Sequence, residues 1–371
     1  MHLKKCNKMR RDFLIRTACL AGCFEGLSVP TRQIMEAFGS LDNLYSLDQD
    51  EALRLYPPMI QFAGKLFSPI RMEAAERDID WAEKHNLTVI TIEDAGYPER
   101  LRQCPDAPLI LYMKGECDFS RPRFIAIVGT RAATGYGRRY CDKIVEGLSR
   151  CGTKPVVVSG LALGIDTYAH TFALRYGLDT VAVMGTGFDT IYPPSNYQLA
   201  EEILHHGALV TEFSPFISSY PVNFVRRNRI IAGLCDCTLV VESKAKGGGL
   251  ITARLAQDYD RSVFAVPGRF DDNTFRGCND LIEDHVAAIV TGADSIVRAM
   301  NWDVRQGFLP LDFGDGVKGH IVKFLREHPE SDTETIAAAL DCSVRDLSLP
   351  LIELEMSGAI SLVGGNKYCA N

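Results

Sequence analysis

Apolar residues in the middle of the chain form short continuous runs, separated by longer stretches of helical spacing. Seven runs, at 124–128, 156–159, 180–184, 208–212, 238–242, 262–266 and 287–290, predict β-strands. Because these runs are continuous rather than alternating, both faces of each strand are expected to be covered, as in a parallel sheet. With helices between the strands and right-handed crossovers, residues 121–300 predict a doubly wound, Rossmann-like α/β sheet.

The two flanking segments have different patterns. Residues 1–120 predict an N-terminal helical domain and connector, with helices at 11–23, 31–38 and 70–85 and a strand at 88–92. Residues 301–315 are the expected linker. The tail, 316–371, predicts helices at 321–325, 335–340 and 344–356, then a hairpin of 359–363 and 367–369 about a glycine turn at 364–366. That order of elements is typical of a winged helix.

Composition and charge exclude several classes of protein. The 371 residues are too many for one core, and no apolar run reaches the roughly 20 residues of a membrane helix. No secretory signal is recognisable, so a cytoplasmic location is expected. The 12 cysteines lack zinc spacing, and no metal is expected. The net charge is −7, but residues 121–300 hold 19 Lys and Arg against 18 Asp and Glu, so the acidic excess lies elsewhere.

Small residues follow several predicted strands. Gly129 follows the first, Gly160 the second and Gly185 the third, while the fifth leads into Lys244, Lys246 and the run Gly247, Gly248, Gly249. In an open parallel sheet, ligands bind beyond the carboxyl ends of the strands. Bare amides at a helix N-terminus, with lysines beside them, favour a phosphate. Neither the dinucleotide fingerprint nor a Walker A sequence is present, so no nucleotide cofactor is expected.

Four arginines are candidates for holding that phosphate. Arg131 follows the first strand, and Arg226, Arg227 and Arg229 lie within four residues of a predicted helix at 223–233. Guanidinium groups so close together repel one another unless an anion lies nearby. Asp236 and Glu242 could be carboxylate partners, but we favour a phosphate chain, because the apolar residues that follow bury the same helix and limit where the arginines point.

Other residues have competing interpretations. Asp166 and His170 lie four apart and could form a catalytic pair, although a capping or packing pair is preferred. Glu212 and Glu242 end strands and could be general bases, but no nucleophile is evident near either. Tyr192, Tyr197, Phe216 and Tyr220 could stack on bases, although each alone is more often a packing residue.

The ordered motifs of the central segment resemble those of the DNA-processing protein A family, also called DprA or Smf. The matching residues comprise Ile127-Val128-Gly129-Thr130-Arg131, Ser159 to Asp166 with Ala169-His170, Gly185-Thr186-Gly187 with Tyr192-Pro193, Arg227-Asn228-Arg229-Ile230-Ile231-Ala232-Gly233, Val241-Glu242, Thr252-Ala253, Val266-Pro267-Gly268 and Gly277-x-Asn279-x-Leu281-Ile282. The flanking segments resemble, more weakly, the family's helical SAM-like domain and winged helix.

This resemblance implies an extended Rossmann domain that binds single-stranded DNA in a basic pocket and dimerises. It also implies delivery of incoming strands to the recombinase RecA during natural transformation, with no catalytic role. Carried over by motif, and with Lys246 added from its place beside the glycines, the nucleic-acid-binding residues would be Gly129, Thr130, Arg131, Ser159, Gly160, Arg227, Asn228, Arg229, Lys246, Gly247, Gly248 and Gly249. Two positions depart from the family pattern: Pro194 stands where a lysine is frequent, and the glycine run replaces a Ser-Gly turn.

Two other functions remain open on the sequence. The first is a nucleotide phosphoribohydrolase of the lysine-decarboxylase-like group, but Leu255 occupies the position of its catalytic glutamate. The second is a recombination scaffold whose groove is vestigial. The tail holds an excess of acids and carries Glu353 and Glu355, with Pro350 expected to interrupt its third helix, so a protein-contact or regulatory role is predicted there instead of major-groove reading.

Overall fold

The computed structural model describes residues 2–24, 30–66, 68–302, 316–356, 359–363 and 367–370. It divides into two compact units, Met1–Trp302 and Asp303–Asn371. Most of the expected linker at 301–315 and the glycine turn at 364–366 lie outside the described residues. No helix in the described ranges combines the length and the hydrophobicity that a membrane span requires.

Short helices form the first part of the larger unit. They are α1 (His2–Cys23), α2 (Thr31–Phe38), α3 (Leu41–Ser46), α4 (Gln49–Leu55), α5 (Ile60–Leu66), α6 (Pro69–Lys84) and α7 (Glu99–Arg102), with a 3₁₀ turn at Pro57–Met59. Capping residues define where two of these helices begin. Ser40 caps the N-terminus of α3, and Asp48 forms a capping box with Glu51 at the N-terminus of α4. Their buried side chains, including Leu20, Ile34 and Met59, belong to the same hydrophobic core as the central sheet.

One sheet of nine strands organises the larger unit. The strands are β1 (Thr88–Thr91), β2 (Ile110–Gly115), β3 (Phe124–Val128), β4 (Val156–Ser159), β5 (Thr180–Val183), β6 (Gly207–Thr211), β7 (Cys237–Val240), β8 (Ser262–Ala265) and β9 (Ala288–Ile289). Their order is β1-β2-β6-β5-β4-β3-β7-β8-β9, and only β2 runs antiparallel to its neighbours. The seven strands predicted from 121–300 are confirmed as a parallel set, whereas β2 was not predicted.

Helices cover both faces of this sheet. They are α8 (Gly135–Leu148), α9 (Ile165–Arg175), α10 (Tyr197–Ile203), α11 (Pro221–Gly233), α12 (Gly248–Asp258), α13 (Arg276–Glu283) and α14 (Ala293–Ala299), with a 3₁₀ turn at Pro194–Asn196. The chain moves outward from β3 to β6 and then returns to β7 beside β3. With right-handed crossovers, α8, α9 and α10 cover one face and α11 and α12 the other. The connections after β3 and β7 therefore diverge, which opens a crevice at the carboxyl ends of these two strands.

The smaller unit has its own core. Helices α15 (Val317–Glu327), α16 (Thr333–Ala339) and α17 (Val344–Met356) pack with a sheet of β10 (Ser331–Asp332), β11 (Ile360–Val363) and β12 (Lys367–Ala370), in the order β10-β12-β11. The expected interruption at Pro350 is wrong, since α17 continues through it. The assignment of this unit as a winged helix stays a prediction.

An ion pair ties the N-terminal helices to the start of the sheet. Arg100 Nε on α7 lies 2.5 Å from Asp236 Oδ1, and the other oxygen of Asp236 accepts a hydrogen bond of 2.7 Å from the Phe124 amide. The Arg100 guanidinium also donates to the Arg121 carbonyl. Both side chains are less than a quarter exposed, so the pair is only partly screened by water.

We expect Asp236→Ala to lower the free energy of unfolding by about 2–3 kcal/mol, because a buried amide and a guanidinium lose a charged acceptor. Urea unfolding of the full chain measures this loss. The control is Asp271→Ala, which breaks the exposed pair with Arg269 and should cost less than about 1 kcal/mol. Equal losses in the two variants would contradict the structural role of Asp236.

Candidate nucleic-acid interface

A groove of about 240 Å³ lies at the crevice between the ends of β3 and β7. Main-chain atoms from two glycine turns form its floor, and side chains of α11 form one wall. Of the twelve predicted nucleic-acid-binding residues, the structure brings six to the groove: Gly129, Arg131, Arg227, Asn228, Gly248 and Gly249. Such a position, at the switch point of a doubly wound sheet, is where ligands bind in this class of fold.

The two glycine turns touch each other at the floor. A Cβ atom on Gly249 would lie 3.3 Å from the Gly129 Cα, and a Cβ atom on Gly129 would lie 2.6 Å from Ile165 Cγ1. A side chain at Gly129 would therefore clash with Ile165, and one at Gly249 would press against the facing turn. Gly248 and Gly249 also begin α12, and the first amides of a helix have no acceptor within it. The floor is thus a surface of small residues and available N–H groups.

Arg227 lies beneath the groove and is only 3% exposed. Its Nη1 atom donates to the Gly160 carbonyl at 2.6 Å and to the Val183 carbonyl, which joins α11 to the ends of β4 and β5. Its Nε atom donates to Asn228 Oδ1 at 3.3 Å. Burial lowers the pKa of Arg227 to about 10, so the guanidinium stays charged at neutral pH.

Asp166 approaches Arg227 across Gly160. The Gly160 amide donates to the Asp166 carboxylate at 3.1 Å, and a Cβ atom on this glycine would lie 2.5 Å from Arg227 Nη2. Burial raises the pKa of Asp166 to about 6, against the opposing effect of Arg227. His170 turns away and shares a hydrogen bond of 2.7 Å with Thr180, while burial lowers its pKa to about 3. The preferred interpretation of Asp166 and His170 as packing residues is confirmed for His170, whereas Asp166 lines the groove.

Arg131 is the exposed cation of the groove. Its guanidinium carbon lies 5.6 Å from the centre of the Phe224 ring, and the Tyr192 ring lies 5.1 Å from the same ring. No carboxylate pairs with Arg131 among the described residues. An arginine over an aromatic face keeps its outward N–H groups available for an anion. Phe224 was missed by the sequence analysis, because an aromatic residue in an amphipathic helix is indistinguishable there from a core residue.

Arg226 and Arg229 do not share the position of Arg227. Glu212, at the end of β6, accepts from Arg226 Nη2 at 3.1 Å and from Arg229 Nη2 at 2.6 Å. Arg229 also lies 3.8 Å from Asp106. The expectation that all three arginines converge on a phosphate is therefore wrong for these two. The two acids considered as alternative partners do not bind these arginines, since Asp236 binds Arg100 and Glu242 binds Thr134.

The remaining predicted residues support the groove or lie outside it. The Ser159 hydroxyl is buried and donates to the Ile127 carbonyl at 2.6 Å, and the Thr130 amide donates to the Glu242 carbonyl at 2.8 Å. Gly160 is buried, and its amide donates to Asp166 while its carbonyl accepts from Arg227. Lys246 is exposed on the loop before α12, and Gly247 is the N-cap residue of that helix. None of these residues, nor Arg229, is among those that line the groove.

Neither strand-end glutamate is available as a general base. The Glu242 carboxylate is buried and accepts from the amide and hydroxyl of Thr134, the N-cap residue of α8, at 3.0 Å each. Glu212 is engaged by two arginines. Leu255, the position aligned with a phosphoribohydrolase glutamate, packs against the hydrophobic core. Within the described ranges, no three His, Cys, Asp or Glu side chains come together as a metal site.

A doubly wound sheet with a glycine floor and an arginine at its switch point defines a Rossmann-like protein with a candidate anion site. The chain belongs to the DNA recombination-mediator protein A family, whose model matches residues 88–301. This range contains the whole nine-stranded sheet and every residue that lines the groove.

Characterised relatives agree with that assignment. The chain is 40% identical over 208 residues to the DNA processing protein DprA of Streptococcus pneumoniae, covering 56% of this chain and 73% of that protein. It is 37% identical over 248 residues to DprA of Bacillus subtilis, covering 67% and 80%. Protein Smf of Escherichia coli is 33% identical over 303 residues, covering 79% and 80%.

Two solved structures have the same fold. The X-ray structure of DprA from Streptococcus pneumoniae has a TM-score of 0.63 at 31% identity and covers 77% of this chain and 97% of that one. The Helicobacter pylori protein has a TM-score of 0.52 at 28% identity and covers 58% and 97%. The latter is described in terms of its single-stranded DNA binding mode.

We expect Glu212→Ala to destabilise the protein by about 3–5 kcal/mol, because it leaves two largely buried guanidinium groups without their shared carboxylate. Chemical unfolding of the full chain measures the change. Glu146→Ala is the matched control: it breaks an exposed pair with Arg150 and should cost less than about 1 kcal/mol. A small loss in Glu212→Ala would mean that water replaces the carboxylate.

Proposed function

We propose that the groove binds single-stranded DNA and that the protein acts as a recombination mediator. The observation that carries this proposal is Arg131, an exposed guanidinium without a carboxylate partner among the described residues, stacked on Phe224 beside bare glycine amides. A single strand offers phosphates for such cations and unpaired bases for aromatic faces. The family assignment and the single-stranded DNA binding of the Helicobacter pylori relative support the same ligand.

The dimensions of the groove favour a single strand over a duplex. Its volume of about 240 Å³ is enclosed by α11 and two glycine turns, whereas a duplex is typically read by an element placed in its own groove. A flexible strand can place one phosphate and its neighbouring base next to Arg131 and Phe224. No nucleophile or general base is required for that role, and we propose that the protein is a binding protein and not an enzyme.

The partners in this proposal come from the family resemblance. They are the recombinase RecA, to which the strand is delivered during transformation, and a second copy of this chain, bound through the Rossmann domain. Residues 316–371 would serve as a winged-helix unit for protein contact or regulation. This segment holds five Lys and Arg against eight Asp and Glu, a balance that favours protein contact over DNA binding.

We expect Arg131→Ala to weaken binding of a labelled oligothymidylate about tenfold, a change of about 1.4 kcal/mol, since a phosphate contact is lost. The slope of log K against log salt should become shallower by about 0.7. Fluorescence anisotropy at several salt concentrations measures both quantities. Arg150→Ala should change neither, because Arg150 lies two residues beyond the C-terminal end of α8 and so at the opposite edge of the sheet.

An unchanged slope in Arg131→Ala would place the site elsewhere. Absence of binding by the unaltered protein would support the vestigial scaffold. Release of free base from a nucleoside monophosphate, lost in the same variant, would favour the phosphoribohydrolase instead.

The affinity for single-stranded DNA should also depend on pH, because the charge of the Asp166 carboxylate changes with pH. Its pKa is raised to about 6, so a fall in pH through this value neutralises a carboxylate in the groove and strengthens binding of a polyanion. Two unit charges about 4 Å apart interact by about 1 kcal/mol in bulk water and more strongly at a protein surface, so we expect a change of at least about fivefold. Asp166→Asn should bind at neutral pH as the unaltered protein binds below pH 6 and should lose most of the pH dependence. A variant with the original pH profile would exclude Asp166 as its source.

A further inference from the structure

The two sides of the groove carry opposite charge. Residues 176–225, which contain β5, α10, β6 and the connection to α11, include no Lys or Arg and five acids. Asp179 pairs with Arg121 and Glu212 with Arg226 and Arg229, whereas Asp189, Glu201 and Glu202 have no ion pair among the described residues. A strand leaving the groove past Tyr192 toward α10 would therefore meet Asp189 and the exposed Glu201 and Glu202, with no cation from this segment.

The other side of the groove has both cations and aromatic rings. Helix α8 begins four residues after Arg131 and carries Tyr136, Arg139, Tyr140 and Lys143, whose spacing of three and four residues places them on one face. Arg139 and Lys143 are exposed, and neither has an ion pair or side-chain hydrogen bond among the described residues. Alternation of aromatic and basic side chains is what a single strand requires of a binding surface.

Tyr136 is partly exposed and is held by two aromatic contacts. It is 40% exposed, its ring centre lies 4.5 Å from that of Tyr140, and the Phe275 ring centre lies 5.1 Å away with the two ring planes nearly perpendicular. Two ring contacts fix the side chain without burying it. A base that stacks on Tyr136 would thus meet an ordered surface and lose little additional side-chain entropy.

The loop that follows β7 adjoins this aromatic cluster. The Gly277 amide, two residues after Phe275, donates to the Ser243 carbonyl at 2.9 Å, and Glu242 binds Thr134 at the start of α8. Lys244 and Lys246 are exposed on this loop and have no ion pair within the described chain. Through Glu242 and the segment after Phe275, this loop is connected to the start of α8.

Acids on this side are mostly engaged. Asp271 pairs with Arg269, Asp280 pairs with Arg276 at 2.7 Å, and Asp142 accepts from Tyr176. Asp272 accepts two hydrogen bonds from Thr274. The four exposed cations therefore dominate the local field.

We propose that a bound single strand leaves the groove in one direction, over Tyr136 and along α8. Bases stack on Tyr136 and Tyr140, while Arg139, Lys143, Lys244 and Lys246 contact successive phosphates. This path rests on the proposed function of the groove and defines a second subsite for longer strands. The acidic segment 176–225 prevents the opposite path.

Oligothymidylates of two lengths test this path. One of about 4 nucleotides should fill the groove alone, and one of about 16 should reach α8. The double variant Arg139→Ala/Lys143→Ala should weaken binding of the longer strand about tenfold and make its salt slope shallower by about 1.4, for two lost contacts, while leaving the shorter strand unchanged. Because both side chains are exposed, this variant is expected to fold.

Tyr136→Ala tests the stacking part in the same way, with a loss of about tenfold for the longer strand only. The matched control is Tyr197→Ala, which removes an exposed tyrosine from the acidic side and should affect neither length. Equal losses for both lengths in the α8 variants, or a selective loss in Tyr197→Ala, would overturn the proposed direction. If the groove does not bind the strand at all, Arg131→Ala will leave the binding of both lengths unaltered. That result differs from the one expected if only the path along α8 is wrong.

Discussion

The buried guanidinium of Arg227 is the constraint on which the arrangement of the groove depends. It donates to the carbonyls of Gly160 and Val183, at the ends of two parallel strands, and so holds α11 against the carboxyl edge of the sheet. Buried carbonyls need donors and a buried cation needs acceptors, so each group satisfies the other. With α11 fixed in this way, Phe224 and Asn228 can only face the groove.

The same helix uses three neighbouring arginines for different purposes. Successive residues point about 100° apart around an α-helix, so Arg226, Arg227 and Arg229 cannot share one target. Arg227 faces the strand ends, while the other two meet Glu212 and anchor the opposite side of α11 to β6. The cation that remains accessible comes from another element, the loop carrying Arg131. The arginine cluster of α11 thus supplies a rigid scaffold, and the loop after β3 supplies the exposed guanidinium.

The parallel strands could be predicted because each is a continuous apolar run, and all seven appear within two residues of their expected bounds. The glycine turns could be predicted as well, since they follow parallel strands whose carboxyl ends meet at one edge of the sheet. Strand β2 was missed because prolines precede it and its partners, β1 and β6, lie far away in sequence. The pairing of Glu212 with Arg226 and Arg229 was missed for a related reason. Sequence spacing shows which charges are close along a helix, whereas the choice of partner depends on the packed sheet.

The N-terminal helices and the central sheet share one hydrophobic core, and this limits how the protein can be divided into fragments. Leu20, Ile34 and Met59 pack into the same cluster as the residues of the central sheet, although the family match begins only at residue 88. A fragment trimmed to the matched range would uncover apolar area that the N-terminal helices normally shield from water. Such a fragment would tend to self-associate through that newly wetted surface, and any assembly state measured on it would report the truncation instead of the native chain.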